Sequence, residues 1–241
     1  DAMNAVSDEM LDGLWSCLNE VEDSKSNIKC LVITGEGRGF CAGANLSGGS
    51  DRSNTGRQDA GHRLETSYHP ILRRIKNLKI PMITSVNGPA AGVGMSLALM
   101  GDIILAGKSA FFLQAFRRIG LVPDGGSTWL LPRLVGMARA KELAILGERL
   151  SAEKAFEWGL INRLFEDSEL HNESLKLAQE LSHGPMSLGL IRKAFWESFD
   201  NSYEEQINLE RELQFTAGQS NDFKEGVTAF LEKRDANFTG K

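Results

Sequence analysis

Two glycine-rich stretches of the chain, residues 36–47 and 89–94, follow apolar runs that are typical of buried strands. Glycine and alanine leave the backbone N–H groups of such a turn free to point into open space. Two N–H groups aimed at one point form an oxyanion hole, which stabilises negative charge on a carbonyl oxygen. Each turn alone is more often a simple packing device between a strand and a helix. Neither has the glycine and lysine spacing of a nucleotide-binding loop.

One carboxylate, Asp124, stands at a different turn, after a proline and before Gly125 and Gly126. A sharp turn of this composition can project the carboxylate into a pocket, where it could move a proton. The alternative is an ordinary turn residue or a helix N-cap before Ser127, and the residues alone favour that alternative. The four histidines show no metal-ligand spacing, and Cys41 has no histidine in a recognisable partner motif. We therefore expect neither a metal site nor a thiol nucleophile.

The composition is close to that of an average soluble protein with one large domain or two small ones. Of the 241 residues, 41% are hydrophobic and 24% are charged, and the formal net charge is −5. Such a chain can bury a substantial core, which excludes disorder of the whole chain. The acidic balance argues against general binding to nucleic acid or to an anionic membrane. No apolar run approaches the roughly 18 residues that a membrane helix needs.

The three cysteines have no CxxC spacing and cannot all pair, which indicates a reducing compartment. We therefore expect the protein in the cytoplasm. The chain begins at Asp1 without an initiator methionine, so it looks like a chain that lacks its first segment. Targeting to an organelle stays open for that reason.

The spacing of apolar residues predicts an α/β core followed by a mostly helical C-terminal part. Buried strands are predicted at residues 28–35, 82–88, 102–107 and 110–113. Helices are predicted at residues 8–21, 64–75, 95–100, 137–147, 151–159, 168–182, 186–199, 203–217 and 222–234.

Five ordered motifs resemble the crotonase superfamily, also called the enoyl-CoA hydratase/isomerase superfamily. They occupy residues 39–46, 86–94, 119–128, 150–161 and 223–234, so that the likeness spans essentially the whole chain. Within the superfamily the chain looks most like the branch of 1,2-epoxyphenylacetyl-CoA isomerases, which is similar to the Δ3,Δ2-enoyl-CoA isomerases.

The resemblance implies an α/β fold built as a spiral of ββα units. It assigns the acyl-CoA site to residues 1–182 and gives residues 183–241 to a helical region for oligomerisation and CoA contacts. It further implies an acyl-CoA thioester as substrate, in a homotrimer or a dimer of trimers. No metal or redox cofactor is expected, because coenzyme A is part of the substrate. We expect no nucleic-acid or membrane partner.

The same resemblance assigns the oxyanion-hole amides to Ala44 and Val93. The family usually has glycine at the second position; Val93 keeps the N–H and adds a β-branched side chain that would narrow the pocket or shift the loop. The hydratase branch activates water with two glutamates, whose positions here hold Ser96 and Phe116. Neither side chain can act as a carboxylate base near neutral pH. Asp124 matches a catalytic aspartate of the isomerase branches, and we expect it to carry the proton.

The resemblance also implies a set of residues along the CoA path. Those in the first glycine-rich stretch are Ala42, Asn45, Leu46 and Ser47. Phe116 is expected to border the substrate. In the last predicted helix, Phe230 and Lys233 are three residues apart and would share one face. The family uses these two positions for CoA, often across a subunit boundary, whereas the residues alone favour a core phenylalanine and a solvated lysine.

We therefore favour an acyl-CoA isomerase that moves a double bond, or opens a ring epoxide, in fatty-acid or phenylacetate-type degradation. The alternative within enzymes is an enoyl-CoA hydratase with altered catalytic residues. The alternative of another class is a non-catalytic scaffold that binds CoA or RNA. A product assay separates the two enzymes, and salt-dependent binding to RNA would indicate the scaffold.

Overall fold

The computed structural model describes residues 3–45 and 59–241. Seven strands lie within these residues. They are β1 (Leu31–Thr34), β2 (Met82–Val86), β3 (Ala90–Ala91), β4 (Ile103–Gly107), β5 (Phe111–Leu113), β6 (Arg149–Ser151) and β7 (Arg163–Phe165).

Ten α-helices lie within the same described residues. They are α1 (Asp8–Glu22), α2 (His69–Lys76), α3 (Val93–Ala98), α4 (Ser127–Val135), α5 (Met137–Leu146), α6 (Ala152–Glu157), α7 (Asp167–Ser182), α8 (Ser187–Ser198), α9 (Tyr203–Gly218) and α10 (Asn221–Glu232). A π-helical turn, Leu64–Tyr68, leads into α2, and a 3-10 helix, Ala115–Ile119, follows β5.

Four strands form a parallel sheet in the order β1-β2-β4-β7. Strand β2 is buried along its whole length, as expected for a central strand of a parallel sheet whose two faces are covered. A second sheet has the order β3-β5-β6, in which β3 and β5 are parallel and β5 and β6 are antiparallel. Both sheets therefore contribute strands from the central segment, residues 82–113, which contains the second glycine-rich stretch, whereas the first follows β1.

Local sequence explains where the first helix begins. The Ser7 side chain accepts a hydrogen bond from the Met10 N–H, and Asp8 and Glu9 place negative charge in the first turn of α1. Both features stabilise a helix N-terminus, because its first N–H groups lack partners within the helix. The predicted helix at residues 8–21 is confirmed.

Arg192 of α8 attaches the C-terminal helices to the core. The buried guanidinium pairs with Asp102, which precedes β4, at 2.7 Å. It also donates to three carbonyls at and just after the end of α2, those of Ile75, Lys76 and Leu78. Loss of one partner of such a pair leaves an uncompensated buried charge, so α8 is part of the folded core.

Helix α9 contrasts with α8, because none of its residues is buried within the single chain. It begins with a capping box in which Ser202 and Glu205 exchange hydrogen bonds with each other's backbone. Within the described residues, none of the helices combines the length and the apolarity needed to cross a membrane.

Candidate active site

The two glycine-rich turns lie side by side. Cys41 and Ala90 pair as parallel strands do, and the Ala91 N–H donates to the Cys41 carbonyl at 2.9 Å. Gly94 is packed so closely against the first turn that a Cβ atom there would lie 2.3 Å from the Cys41 carbonyl oxygen. Two segments about fifty residues apart in the sequence are thus held in register.

Two glycines with positive φ are in contact where the turns meet. Gly43 has φ of 102° and Gly92 has φ of 54°, conformations that side chains rarely adopt. A Cβ atom on Gly92 would lie 3.9 Å from the Gly43 Cα atom. Ala44 and Val93 follow these glycines directly, so the two predicted amide donors lie next to the place where the two turns are in contact.

The N–H groups of Ala44 and Val93 donate to no group in the described part of the chain. Neighbouring groups make the local hydrogen bonds instead, with Asn45 donating to the Val6 carbonyl and Gly92 donating to the Leu113 carbonyl. Val93 is the first residue of α3, where an N–H has no partner within the helix. The arrangement leaves two amides available for a carbonyl oxygen.

Asp124 lies on a tight turn that precedes α4. Gly125 and Gly126 have φ of 61° and 81°, and the N-cap of α4 is Gly126. Of the two structural roles that the residues alone favoured for Asp124, the turn residue is confirmed and the helix N-cap is wrong. The carboxylate oxygen Oδ1 is buried without a hydrogen-bond partner among the described residues. Burial raises the pKa of Asp124 from 3.8 to about 6, because it disfavours the charged form.

The Asp124 turn packs directly against α3. The Ser96 hydroxyl donates to the Asp124 backbone carbonyl at 2.8 Å. A Cβ atom on Gly125 would lie 2.7 Å from Ser96 Cβ and 3.4 Å from Val93 Cγ2. This contact holds the Asp124 turn against the helix that begins at Val93. No local sequence pattern reveals a contact between residues 28 positions apart.

Phe116 and Tyr68 border the same region. Phe116 is buried in the 3-10 helix, and its Cζ atom lies 3.8 Å from where a Cβ atom on Gly92 would stand. Tyr68 is buried at the end of the π-helical turn. Its pKa is raised first by burial, and the charge of Asp124 is among the smaller causes, so the Tyr68 hydroxyl and the Asp124 carboxylate are within electrostatic range. Sequence analysis did not identify Tyr68.

The predicted CoA residues fall in two places. Ala42 donates its N–H to the Met3 carbonyl, and Asn45 continues the first glycine-rich turn. Leu46 and Ser47, for which the same role was predicted, lie outside the described residues.

The C-terminal pair lies elsewhere. Phe230 on α10 is 82% exposed and borders a cleft of about 450 Å³ formed by residues between 185 and 238. No residue of the glycine-rich turns or of the Asp124 turn is among those described as lining it. The predicted helix 222–234 ends early, at Glu232, and Lys233 is its C-cap with φ of 55°. Lys233 therefore does not continue the helical face of Phe230.

A cavity of about 350 Å³ adjoins the other side of the Asp124 turn. Gly125 and Gly126 border it together with apolar side chains, among them Met100, Trp129 and Leu130. Its remaining lining includes the polar side chains of His69, Arg73, Lys76 and Asp200. Within residues 3–45 and 59–241, no group of three His, Cys, Asp or Glu side chains is placed to hold a metal ion.

Comparison with known proteins gives a consistent result. The sequence profile of the enoyl-CoA hydratase/isomerase family matches residues 1–241. A 1,2-epoxyphenylacetyl-CoA isomerase of Escherichia coli K12 is 46% identical over 100% of this chain and 92% of its own length. A probable enoyl-CoA hydratase of Rhodobacter capsulatus is 41% identical, over 100% of this chain and 91% of the relative.

Solved structures show the same likeness. An enoyl-CoA hydratase/isomerase of Cupriavidus metallidurans superposes with a TM-score of 0.90 at 33% identity, over 98% of this chain and 88% of that one. An enoyl-CoA hydratase of Polaromonas superposes with a TM-score of 0.88 at 33% identity, over 99% of this chain and 92% of that one. The fold class predicted from the sequence is confirmed.

Proposed function

Because the chain belongs to the enoyl-CoA hydratase/isomerase family, we propose that it is an acyl-CoA isomerase that works through an enolate held in an oxyanion hole. The observation that carries this proposal is the single carboxylate of Asp124, half-buried and with one unpartnered oxygen, on a turn packed against α3. The two positions where a hydratase would need glutamates hold Ser96 and Phe116.

The Ala44 and Val93 amides would hold the thioester carbonyl oxygen of the substrate. Neither N–H is used within the described chain, which supports this role. Two such donors stabilise the negative charge that develops on the oxygen when a proton leaves the α-carbon, so the α-proton becomes more acidic. A β-branched side chain at Val93 leaves the N–H in place and narrows the space beside it.

Asp124 would move the proton. Its carboxylate takes the α-proton of a 3-enoyl thioester and gives the enolate, and the resulting carboxylic acid returns the proton to the γ-carbon. The double bond thereby moves from the β,γ to the α,β position, with no net gain or loss of atoms. A carboxyl group with a pKa of about 6 is still ionised at neutral pH and is a stronger base than an ordinary aspartate.

Hydration would require a group that activates water. Phe116 offers no such group, and the Ser96 hydroxyl already donates to the Asp124 carbonyl. We therefore place the altered hydratase second.

The relative named 1,2-epoxyphenylacetyl-CoA isomerase supports an apolar, ring-containing acyl group as one substrate class, with opening of a ring epoxide as the related reaction. The cavity beside Gly125 and Gly126 has room for such a group.

We further propose that CoA is bound by Ala42, Asn45, Leu46 and Ser47 in one subunit and by Phe230 and Lys233 of a neighbouring one. Two observations support a homotrimer or a dimer of trimers. Helix α9 buries none of its residues in the single chain, and large apolar side chains are exposed on α8 and α10, including Phe195 at 70% and Phe230 at 82%. In this arrangement residues 1–182 carry the acyl-CoA site and residues 183–241 contribute the association surface.

The reaction needs no cofactor beyond the coenzyme A of the substrate, since one carboxylate and two amides suffice for proton transfer. We expect the cytoplasm as the compartment, which the three free cysteines support.

The test is an assay of the purified protein and its Asp124→Asn variant on a 3-enoyl-CoA and a 2-enoyl-CoA. We expect isomerisation to outrun hydration, and Asp124→Asn to lower isomerisation by about 10²–10⁴-fold, the usual cost of one acid–base group. Asp12→Asn, an exposed position on α1, is the matched control and should keep the parent rate. Rapid hydration by the parent protein would favour the hydratase, and no turnover with retained CoA or RNA binding would favour the scaffold.

A further inference from the structure

Ser96 links the helix that begins at Val93 to the turn that carries Asp124. It lies three residues after Val93 on α3 and is fully buried. Its hydroxyl donates to the Asp124 backbone carbonyl at 2.8 Å, and the Ser127 hydroxyl donates to the same carbonyl at 2.9 Å. Ser127 belongs to the same turn as Asp124, whereas Ser96 reaches it from another element. The Ser96 hydrogen bond therefore fixes where the turn sits relative to α3.

The size of the side chain at position 96 matters as much as its hydroxyl. Gly125 approaches so closely that a Cβ atom on it would lie 2.7 Å from Ser96 Cβ and 3.0 Å from Ser96 Oγ. Protein interiors are close-packed, so a longer side chain at position 96 could enter only if the turn moved away. A glutamate at that position and the present location of Asp124 are therefore incompatible.

We propose that Ser96 is a positioning residue for the isomerase reaction, whose hydroxyl and small volume hold the Asp124 carboxylate at a fixed distance from the Val93 N–H. This inference rests on the proposed function. Since a displacement of about 1 Å can cost about 10²-fold in rate, a hydrogen bond that locates the base is a strong determinant of turnover.

The pKa of Asp124 reports how deeply its carboxylate is buried, and therefore where the turn lies. Burial is the cause of its raised pKa, and no cation pairs with it among the described residues. The ionisable group that senses the charge of Asp124 is Tyr68 from the π-helical turn. Tyr68 is itself within electrostatic range of Arg63, Cys41 and Asp8. His69 lies across the cavity that Gly125 borders. A turn that moves toward water would lower the pKa of Asp124 toward 3.8.

The experiment compares Ser96→Ala with Ser174→Ala in the full-length protein. Ser174 on α7 is also a buried serine, and its hydroxyl hydrogen-bonds the Leu170 carbonyl and the Ser85 hydroxyl of β2, neither of which belongs to the glycine-rich turns or the Asp124 turn. For Ser96→Ala we expect kcat to fall by about 10- to 100-fold while KM stays within about twofold. The acid limb of the kcat/KM profile, which reports the free enzyme, should shift from about pH 6 toward lower pH. Ser174→Ala should leave kcat and the acid limb unchanged.

Two further variants, Gly125→Ala and Asp124→Asn, test the positioning role of Ser96 independently. Gly125→Ala displaces the same turn while Ser96 is intact, and it should lower kcat and the acid limb in the same direction. Thermal unfolding gives a second measurement that does not depend on activity, with Asp124→Asn made both in the parent protein and in the Ser96→Ala variant. The gain in stability from Asp124→Asn at pH 8 should be smaller in the Ser96→Ala variant, because the Asp124 carboxylate is already better hydrated there.

The outcomes are separable. A parent protein that isomerises no 3-enoyl-CoA overturns the proposed function, and the stability comparison then decides by itself whether Ser96 holds the carboxylate. A Ser96→Ala protein with the parent kcat and the parent acid limb overturns the positioning role and leaves the proposed function standing.

Discussion

Replacing Asp124 by asparagine should stabilise the folded protein at pH 8 while removing its isomerase activity. Burial raises the pKa of Asp124 from 3.8 to about 6, so the folded state disfavours the charged carboxylate. An asparagine in the same place is neutral at every pH and avoids that cost. A gain in stability together with a loss of activity is common when a functional group that destabilises the folded state is replaced.

The size of the effect follows from the two pKa values. A difference of about two pKa units between the unfolded and folded states corresponds to at most about 3 kcal/mol. Asp124 is only half-buried, so screening by solvent reduces this to about 1–2 kcal/mol. Above pH 6 the group is charged in both states and the whole cost is present. As the pH falls from 6 toward 3.8, the folded state takes up the proton first and the cost disappears.

The measurement is thermal unfolding of the parent and Asp124→Asn proteins at equal concentration, at pH 8 and at pH 4.5. For a chain of this length we expect a rise in Tm of about 2–8 °C at pH 8 and a much smaller one at pH 4.5. The exposed control Asp12→Asn should change Tm at neither pH. An equal gain at both pH values, or a loss of stability at pH 8, would show that burial of the Asp124 charge is not what the substitution relieves.

Gly94→Ala should lower the free energy of unfolding by about 1–3 kcal/mol and should lower turnover. The added Cβ atom would lie 2.3 Å from the Cys41 carbonyl oxygen and would push the two glycine-rich turns apart. The matched control is Gly13→Ala on α1, where the added atom has nothing within 4 Å, and it should raise the free energy of unfolding by about 0.5–1 kcal/mol. Equal Tm changes for the two variants would contradict the close contact at Gly94. Lys233→Ala should weaken CoA binding at low salt, with a smaller difference between the two proteins at high salt, since a partly exposed contact with phosphate is screened. Titration calorimetry with CoA measures this, and an unchanged affinity at low salt removes Lys233 from the site.

The strands of the central sheet were predictable because burial on both faces leaves continuous apolar runs. The runs at residues 82–88 and 102–107 became β2 and β4, and the run at 110–113 became β5. The expected strand at 28–35 is real but shorter, spanning Leu31–Thr34. The family resemblance, carried by motifs spread along the chain, predicted the fold correctly.

Shorter elements could not be predicted. Strands β6 and β7 have three residues each, too few to show a period, and both are defined by partners distant in sequence. Helix α4 contains Pro132, which argues against a helix in any local analysis.

Within the site, sequence supplied the residue types and the structure supplied their relations. Composition and spacing alone favoured a turn residue or an N-cap for Asp124; the structure places it on a turn and makes Gly126 the N-cap. Ser96 was recognised only as a missing glutamate. Its contact with the Asp124 carbonyl depends on how α3 and the turn before α4 meet, which no short stretch of sequence encodes.

The position of Arg192 bears on how the chain matures during synthesis. Asp102 is made 90 residues before the arginine that neutralises it. At usual elongation rates of about 5–20 residues per second, that separation lasts roughly 5–20 seconds. Throughout this interval the carboxylate of Asp102 and the carbonyls at the end of α2 lack the guanidinium that pairs with them, so water must hydrate them. A chain that ends before α8 would keep these groups without that partner.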